Sequence, residues 1–520
     1  MSTEQATGFD RDQFLSWFKG AGGWYNETAV DLIPYPGMNY GATALEDIKE
    51  DAPLFHIPDS LILSPYTSTL KEHLSSEEWE QLGHGWSQLI LVMMWESIRG
   101  DESRWSGYLG NMPRQFETPM FWSEEERKYL AGTDIQDRIG REDAEQEYTN
   151  VLLPVISAHP ELFPVGSPHT SIDAFHLQGS RILSRSFTVP LSRFDNTPKA
   201  AEQPEDSDDE EEEDQGVVVM MPFADMLNAA YEKDNAHLFV DEEASEEFKS
   251  GVMMRSTKKI TKSQQIFNTY DAPPNSELLR KYGHVDVLPL LKDITKLLKS
   301  SKVGAEWPFG NAGDEVLLSG EAIVESVAET LGEKADDKWR DDIKTRIDWW
   351  LEEGQEDAFP LGYDEEIDDG LISFARLLSN DEDWEKAQKK SKPPKPTVDG
   401  DVAAIIIKAI EQRESTYEGA IEVYQAFFLV SSTNVVLQDD IATLKASTQW
   451  SAINSPDALK SDETPVSQQR KEMAAVVKLG ERRILKIASH VIKKAVKTEA
   501  AASKKRKAGS VMVGKGKKLS

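Results

Sequence analysis

Hydrophobic positions recur along this chain with two different spacings, and the switches between them mark its regions. In "DRDQFLSWFKG" (Asp10–Gly20), Phe14, Leu15 and Phe18 fall on one side of a predicted short amphipathic helix. The stretch "PGMNYGATALEDIKEDAPLFHIPDSLILS" (Pro36–Ser64) breaks into short apolar runs separated by Gly, Pro and Asp, which predicts short strands and turns. From about residue 66 to 184 the spacing becomes three to four, as at Trp86, Leu89, Met93 and Glu96, and predicts helices. Strand-like segments return in "VVVMMPFADML", "AHLFV", "GVMMRS" and "QIFNTYD". After about residue 286 helical patterns dominate, including "DVAAIIIKAIEQR" and "QQRKEMAAVVKLGERRILKIASHVIKKAV". In the latter, Met473, Val476, Ile484, Ile487 and Val491 repeat at helical spacing, with Lys and Arg on the other faces. No internal repeat is present.

These patterns predict an α+β protein. A β-rich region over residues 10–290 is split by a helical insertion at about 66–184, and an all-α domain follows over 291–495. The run "AEQPEDSDDEEEEDQG" (Ala201–Gly216) cannot bury a core, so a disordered loop is expected at about 199–216. A basic disordered tail, containing "SKKRKAGSVMVGKGKKLS", is expected over 496–520. A length of 520 residues fits two to four domains.

Composition narrows the chemistry. A formal charge of −33 excludes a phosphate-tracking body, so no direct nucleic-acid partner is expected, and it favours basic partners. Cysteine is absent, which removes disulfides, thiolate nucleophiles and cysteine-ligated zinc. The nine histidines lack metal-ligand spacing, no Gly-x-Ser-x-Gly elbow occurs, and no metal is expected. "MSTEQATGFDRDQF" has no apolar core of a signal peptide, and the longest apolar run, "LILVMMW" (Leu89–Trp95), is far short of a membrane span. A soluble, intracellular, monomeric protein without membrane contact is the expectation. "GAGGWY" (Gly20–Tyr25) follows a helix rather than a strand, so it reads as a helix-ending turn and not a phosphate cradle.

Three segments place polar residues against apolar strands: "GMNYGATA" (Gly37–Ala44), "FADMLN" with Asp225 and Asn228, and "IFNTYDAPPNSELLRKYGHVD" with Tyr270 and Tyr282. Gly41 would let a ligand approach the backbone closely, or simply make a hairpin. By pattern alone Asn228 serves equally as a turn cap and Tyr270 as a half-buried strand tyrosine.

Their order (glycine turn, long insertion, "DMLN", then "NTYD" and "YGHVD") resembles the SET-domain protein methyltransferases. The resemblance is closest to the branch with a split SET domain and a Rubisco-methyltransferase-type C-terminal domain, which includes fungal ribosomal-protein lysine methyltransferases. "PMFWSEEERKYL" (Pro119–Leu130), "LLPVISAHPELF" (Leu152–Phe163) and "KLGERRILK" (Lys478–Lys486) extend it, so that it spans about residues 10–490. It implies S-adenosylmethionine as methyl donor and a protein lysine as acceptor. The family's glycine-turn motif falls on Asn39, Tyr40 and Gly41, with Asn in place of the usual first Gly, and Asn tolerates left-handed dihedrals. Asn228 and Ala229 stand where many relatives have Asn-His, so position 229 contributes through its backbone alone. Arg185 falls at a cofactor- and substrate-facing position, and Tyr282 where an aromatic packs on the cofactor. Tyr270 is the implied catalytic group, also touching the cofactor. Trp86, Ser186, Phe187 and Asp225 are the substrate-side candidates.

By the same resemblance the substrate is a basic protein, ribosomal or nuclear, with an exposed lysine. The acidic run Glu202–Asp214 is either a solvated loop or a recruiter of Lys-rich substrates. "KKRK" (Lys504–Lys507) reads as a nuclear-import signal, with the cytoplasm as a second location. Two alternatives stand beside catalysis on lysine. One is methylation of a different side chain, disfavoured by the aromatic Phe187. The other is a SET-fold binding module with weak or no catalysis, kept open by Asn39 and Ala229.

Overall fold

The computed structural model describes residues 9–35, 39–83, 85–194, 216–229, 233–239, 248, 250–303, 308–332, 335–417 and 465–514. The acidic stretch Glu202–Asp214 lies outside these described residues. They form two compact units. The first takes in the chain to Phe121, Ile139–Ala272 and Lys281–Gly283; the second takes in Trp122–Arg138, Pro273–Arg280 and the chain from His284.

In the first unit, Asp10 caps the helix Arg11–Gly20 by accepting from the Gln13 N–H, and Phe14, Leu15 and Phe18 are its buried face. The helix ends in the glycine turn as expected, with Gly22 at φ +100°. Three antiparallel sheets follow. β1 (Trp24–Tyr25), β4 (Pro53–Pro58), β8 (Gly251–Ser256) and β7 (Ala236–Phe239) form one sheet in that order. β2 (Val30–Tyr35), β3 (Asn39–Ala44) and β9 (Gln265–Ile266) form the second, with Ile33 opposite Gly41 and Thr43 opposite Gln265. β5 (Ser186–Pro190) pairs with β6 (Gly216–Met220). The region between β4 and β5 is helical, as its spacing predicts, with Trp86–Arg99 packed on Ile172–Arg185. One apolar core runs through all of these elements. At its centre the Phe223 ring lies 4.5 Å from Phe55, 5.1 Å from Phe18 and 5.4 Å from Tyr25, centroid to centroid.

The second unit is mainly helical, but two short antiparallel ladders stand among its helices. β10 (Leu288–Pro289) pairs with β11 (Phe309–Gly310), and β12 (Val316–Ser319) with β13 (Ala358–Leu361). Such two- to four-residue strands are too short for a period to show. The long helix Pro465–Gly514 buries Met473, Val476, Ile484, Ile487 and Val491, as their spacing predicts. Its charged residues depart from expectation. Lys478, Glu481, Arg482 and Arg483 are buried as well. A helix covered on every side must pair the charges it encloses. Arg482 meets Glu414 at 2.7 Å, Arg483 donates to the Phe309 carbonyl at 2.8 Å, and Tyr417 donates to Glu481 at 2.5 Å. The helical backbone also continues to Gly514, through Lys504–Lys507, where the sequence reading expects a disordered tail. Ala, Lys, Glu and Arg are strong helix formers, and no proline interrupts the run after Pro465.

Candidate active site

The site forms around the loop Met221–Ala229 of the first unit, and its shape begins with a strained residue. Phe223 has φ +79° and is fully buried. That region is unfavourable for a bulky side chain by about 1–3 kcal/mol, and the rings packed on Phe223 hold it there. The reversal launches one 3-10 turn, Ala224–Met226, which carries Asp225 into the interior.

Asp225 is met by two side chains from distant segments. The Tyr108 hydroxyl donates to its Oδ2 at 3.0 Å. Arg185 donates through Nη1 to the Asp225 carbonyl at 2.9 Å and to Oδ2 at 3.2 Å. Asp225 Oδ1 is buried without a hydrogen-bond partner among the described residues. Burial raises the Asp225 carboxyl above the usual range, against the opposing pull of the Arg185 charge. Burial likewise lifts the Tyr108 hydroxyl, with the Asp225 charge adding to the rise. Arg185 arrives here because it closes the helix Ile172–Arg185, after which Ser186 and Phe187 turn into β5 opposite Met220 and Val219.

The last part of the loop is gripped by the segment after β9. Ala229 and Asn268 form a parallel bridge, with the Asn268 N–H donating to the Asn228 carbonyl at 3.0 Å. Two residues on, the Tyr270 hydroxyl donates to the Leu227 carbonyl at 3.1 Å, and its ring stacks on Tyr282 at 4.9 Å. Burial pushes the Tyr270 hydroxyl up to about 12, so it stays protonated at neutral pH.

On the other side the loop meets β3. Asn39 adopts φ +57°, the left-handed conformation expected of it. The Asn228 side chain donates to the Tyr40 carbonyl at a long 3.4 Å. A methyl group added to Gly41 would lie 2.5 Å from Asn228 Nδ2 and 2.6 Å from Gln265 Nε2. Only glycine leaves that space open. Gln265 is buried, and its Nε2 has no acceptor among the described residues.

The structure therefore joins Tyr40, Gly41 and Asn228 on one side of the loop, and Arg185, Asp225, Ala229, Tyr270 and Tyr282 on the others. Ser186 and Phe187 follow Arg185 directly. Trp86 starts the helix Trp86–Arg99, is 39% exposed, and makes no hydrogen bond or ring contact with these residues. Sequence reading does not find Tyr108, Gln265 or the Leu227 carbonyl. A polar residue inside the apolar "QIF" run was a usable sign for Gln265; nothing local marks Tyr108.

No protein-family model matches the chain. N-lysine methyltransferase setd6 of Xenopus laevis is 32% identical over 288 residues, 54% of this chain and 58% of that one. Ribosomal lysine N-methyltransferase 4 of Saccharomyces cerevisiae is 30% identical over 329 residues, 62% of this chain and 60% of that one. A crystal structure of the SET domain of LSMT bound to lysine and AdoHcy matches with a TM-score of 0.59 at 17% identity, covering 95% of this chain and 92% of that one. The chain shares the fold of this SET-domain structure. The matches span less than two thirds of the length of these two curated relatives. The SET fold accounts for the α+β architecture with several small sheets.

Proposed function

We propose that this SET-domain protein is an S-adenosylmethionine-dependent protein-lysine N-methyltransferase (EC 2.1.1.-). The observation that carries the reading is the convergence on the nine-residue loop Met221–Ala229. An amide-lined cradle at Gly41, the Arg185–Asp225 pair and the Tyr270 hydroxyl all meet it. The residues fit the donor: the cradle at Gly41 is one that a Cβ would fill, and the buried Gln265 Nε2 beside it awaits an acceptor. Asn39, Tyr40, Gly41, Asn228 and Ala229 would hold it, with Arg185, Tyr270 and the Tyr282 ring closing around it. When bound, S-adenosylmethionine supplies a methyl group on a sulfonium centre.

What remains for the protein is positioning and electrostatics. A lysine amine must be neutral to attack, and deprotonation from a pKa of ~10.4 costs about 4.6 kcal/mol at pH 7. Tyr270 and Tyr282, with Phe187 assigned beside them, would act as aromatic walls that disfavour the ammonium form by desolvation. Tyr270 stays protonated, so its hydroxyl orients the amine rather than accepting its proton, which leaves to water. Trp86, Ser186, Phe187 and Asp225 are assigned to the substrate side.

The substrate is read as a basic ribosomal or nuclear protein, which the net charge of −33 would attract. The name of the yeast relative supports the ribosomal choice. Lys504–Lys507 supports nuclear import, with the protein acting as a monomer there or in the cytoplasm. Ala229, without an imidazole, keeps a binding module with little catalysis as the second reading. Calorimetric titration with S-adenosylhomocysteine tests the choice. Saturable one-to-one binding supports the enzyme, and no binding supports the module.

A further inference from the structure

The face of β3 that carries Gly41 gathers two side-chain amides whose donors are unmet or nearly so. Strand alternation and register put Gly41, Thr43 and Gln265 on one face of the sheet. Gln265 is 9% exposed, and its Nε2 makes no hydrogen bond among the described residues. Asn228 Nδ2 reaches the same point above Gly41, engaged by its long contact to the Tyr40 carbonyl. Leaving a buried donor unmet costs about 1–3 kcal/mol, so such a group is retained where something else satisfies it. Two amide N–H₂ groups converging on an open glycine call for an acceptor. An anionic acceptor gains most, because charge-assisted bonds are roughly twice as strong.

We propose that Gln265 is a further binding residue of this site, donating from its side-chain amide, together with Asn228, to the carboxylate of the methyl donor. The assignment rests on the methyltransferase reading above. The carboxylate is the only anionic group of S-adenosylmethionine, so it is the group this donor pair selects. Gln265 opens β9, where its backbone pairs with Thr43, and its carbonyl accepts from the Asn235 side chain at 3.0 Å. The residue is therefore anchored through its backbone on both sides, which leaves its amide free to serve a ligand.

The test compares binding of S-adenosylmethionine with that of its decarboxylated analogue, for wild type, Gln265→Leu and Gln265→Glu. Wild type should bind the intact molecule about tenfold or more tighter than the analogue. Gln265→Leu should lose about tenfold in affinity for the intact molecule and leave the analogue unchanged within about twofold. Gln265→Glu, which sets carboxylate against carboxylate, should lose more for the intact molecule and gain for the analogue. Equal losses for both ligands, or none for either, overturn the assignment alone. A wild type that binds neither ligand overturns the methyltransferase reading and this assignment with it.

Discussion

The rings of Tyr270 and Tyr282 lie 4.9 Å apart and 4° from parallel, while the Tyr270 hydroxyl donates to the Leu227 carbonyl at 3.1 Å. The stack fixes the ring and the carbonyl fixes the hydroxyl, so ring and hydroxyl have separable roles. Tyr270→Phe should keep the stack and the fold while lowering kcat by roughly 10²–10³, the range for losing one preorganised polar group at a reacting centre. Steady-state kinetics beside a melting curve checks this. Full turnover by the variant would remove Tyr270 from the chemistry.

Gly41→Ala places a methyl group 2.5 Å from Asn228 Nδ2 and 2.6 Å from Gln265 Nε2. No real Cβ sits so close, so both amides must move out of the cradle. Titration should show at least tenfold weaker binding of S-adenosylhomocysteine, with a melting temperature close to wild type if the two side chains alone give way. Unchanged affinity would mean that the space above Gly41 is not used.

Tyr108→Phe removes the donor to a buried carboxylate whose other oxygen already lacks a partner among the described residues. The expected cost is about 1–3 kcal/mol of stability, read from urea unfolding. Since Arg185 bonds the same Oδ2, turnover should fall as well. A loss below about 0.5 kcal/mol would mean that water replaces the hydroxyl.

The second unit contains a pH-sensitive contact. Asp314 accepts from the Asn275 N–H at 2.8 Å, and burial raises its carboxyl to about 7. The folded state thus holds this proton more tightly than the unfolded chain does, where the value is ~3.9. The resulting stabilisation is complete below about pH 4 and is lost as pH rises through about 7. Asp314→Asn cannot titrate, so its unfolding free energy relative to wild type should improve by a few kcal/mol between pH 4 and pH 8. Parallel curves for the two proteins would contradict a raised carboxyl.

Local pattern marked Gly41, Asn228 and Tyr270 as interruptions or ends of apolar runs, equally readable as turn and strand residues, and only the family resemblance singled out Asn39 and gave these positions a proposed role. What could not be read depends on distance along the chain. Tyr108 reaches Asp225 across 117 positions and Arg185 reaches it across 40. Phe223 was unreadable for another reason: a phenylalanine defaults to negative φ, and only the surrounding rings reverse it. The buried charges of the long helix, Glu481 and Arg483 among them, looked like solvent-facing positions because their partners, Tyr417 and the Phe309 carbonyl, come from far away in sequence.

The most direct test of the central claim is transfer of label from methyl-labelled S-adenosylmethionine to protein, using an extract from cells lacking this protein, with the labelled residue located by mass spectrometry. The account predicts label on a lysine side chain of a basic protein with wild type, and its loss with Tyr270→Phe. Label on a residue other than lysine, or equal labelling by the two proteins, would contradict it.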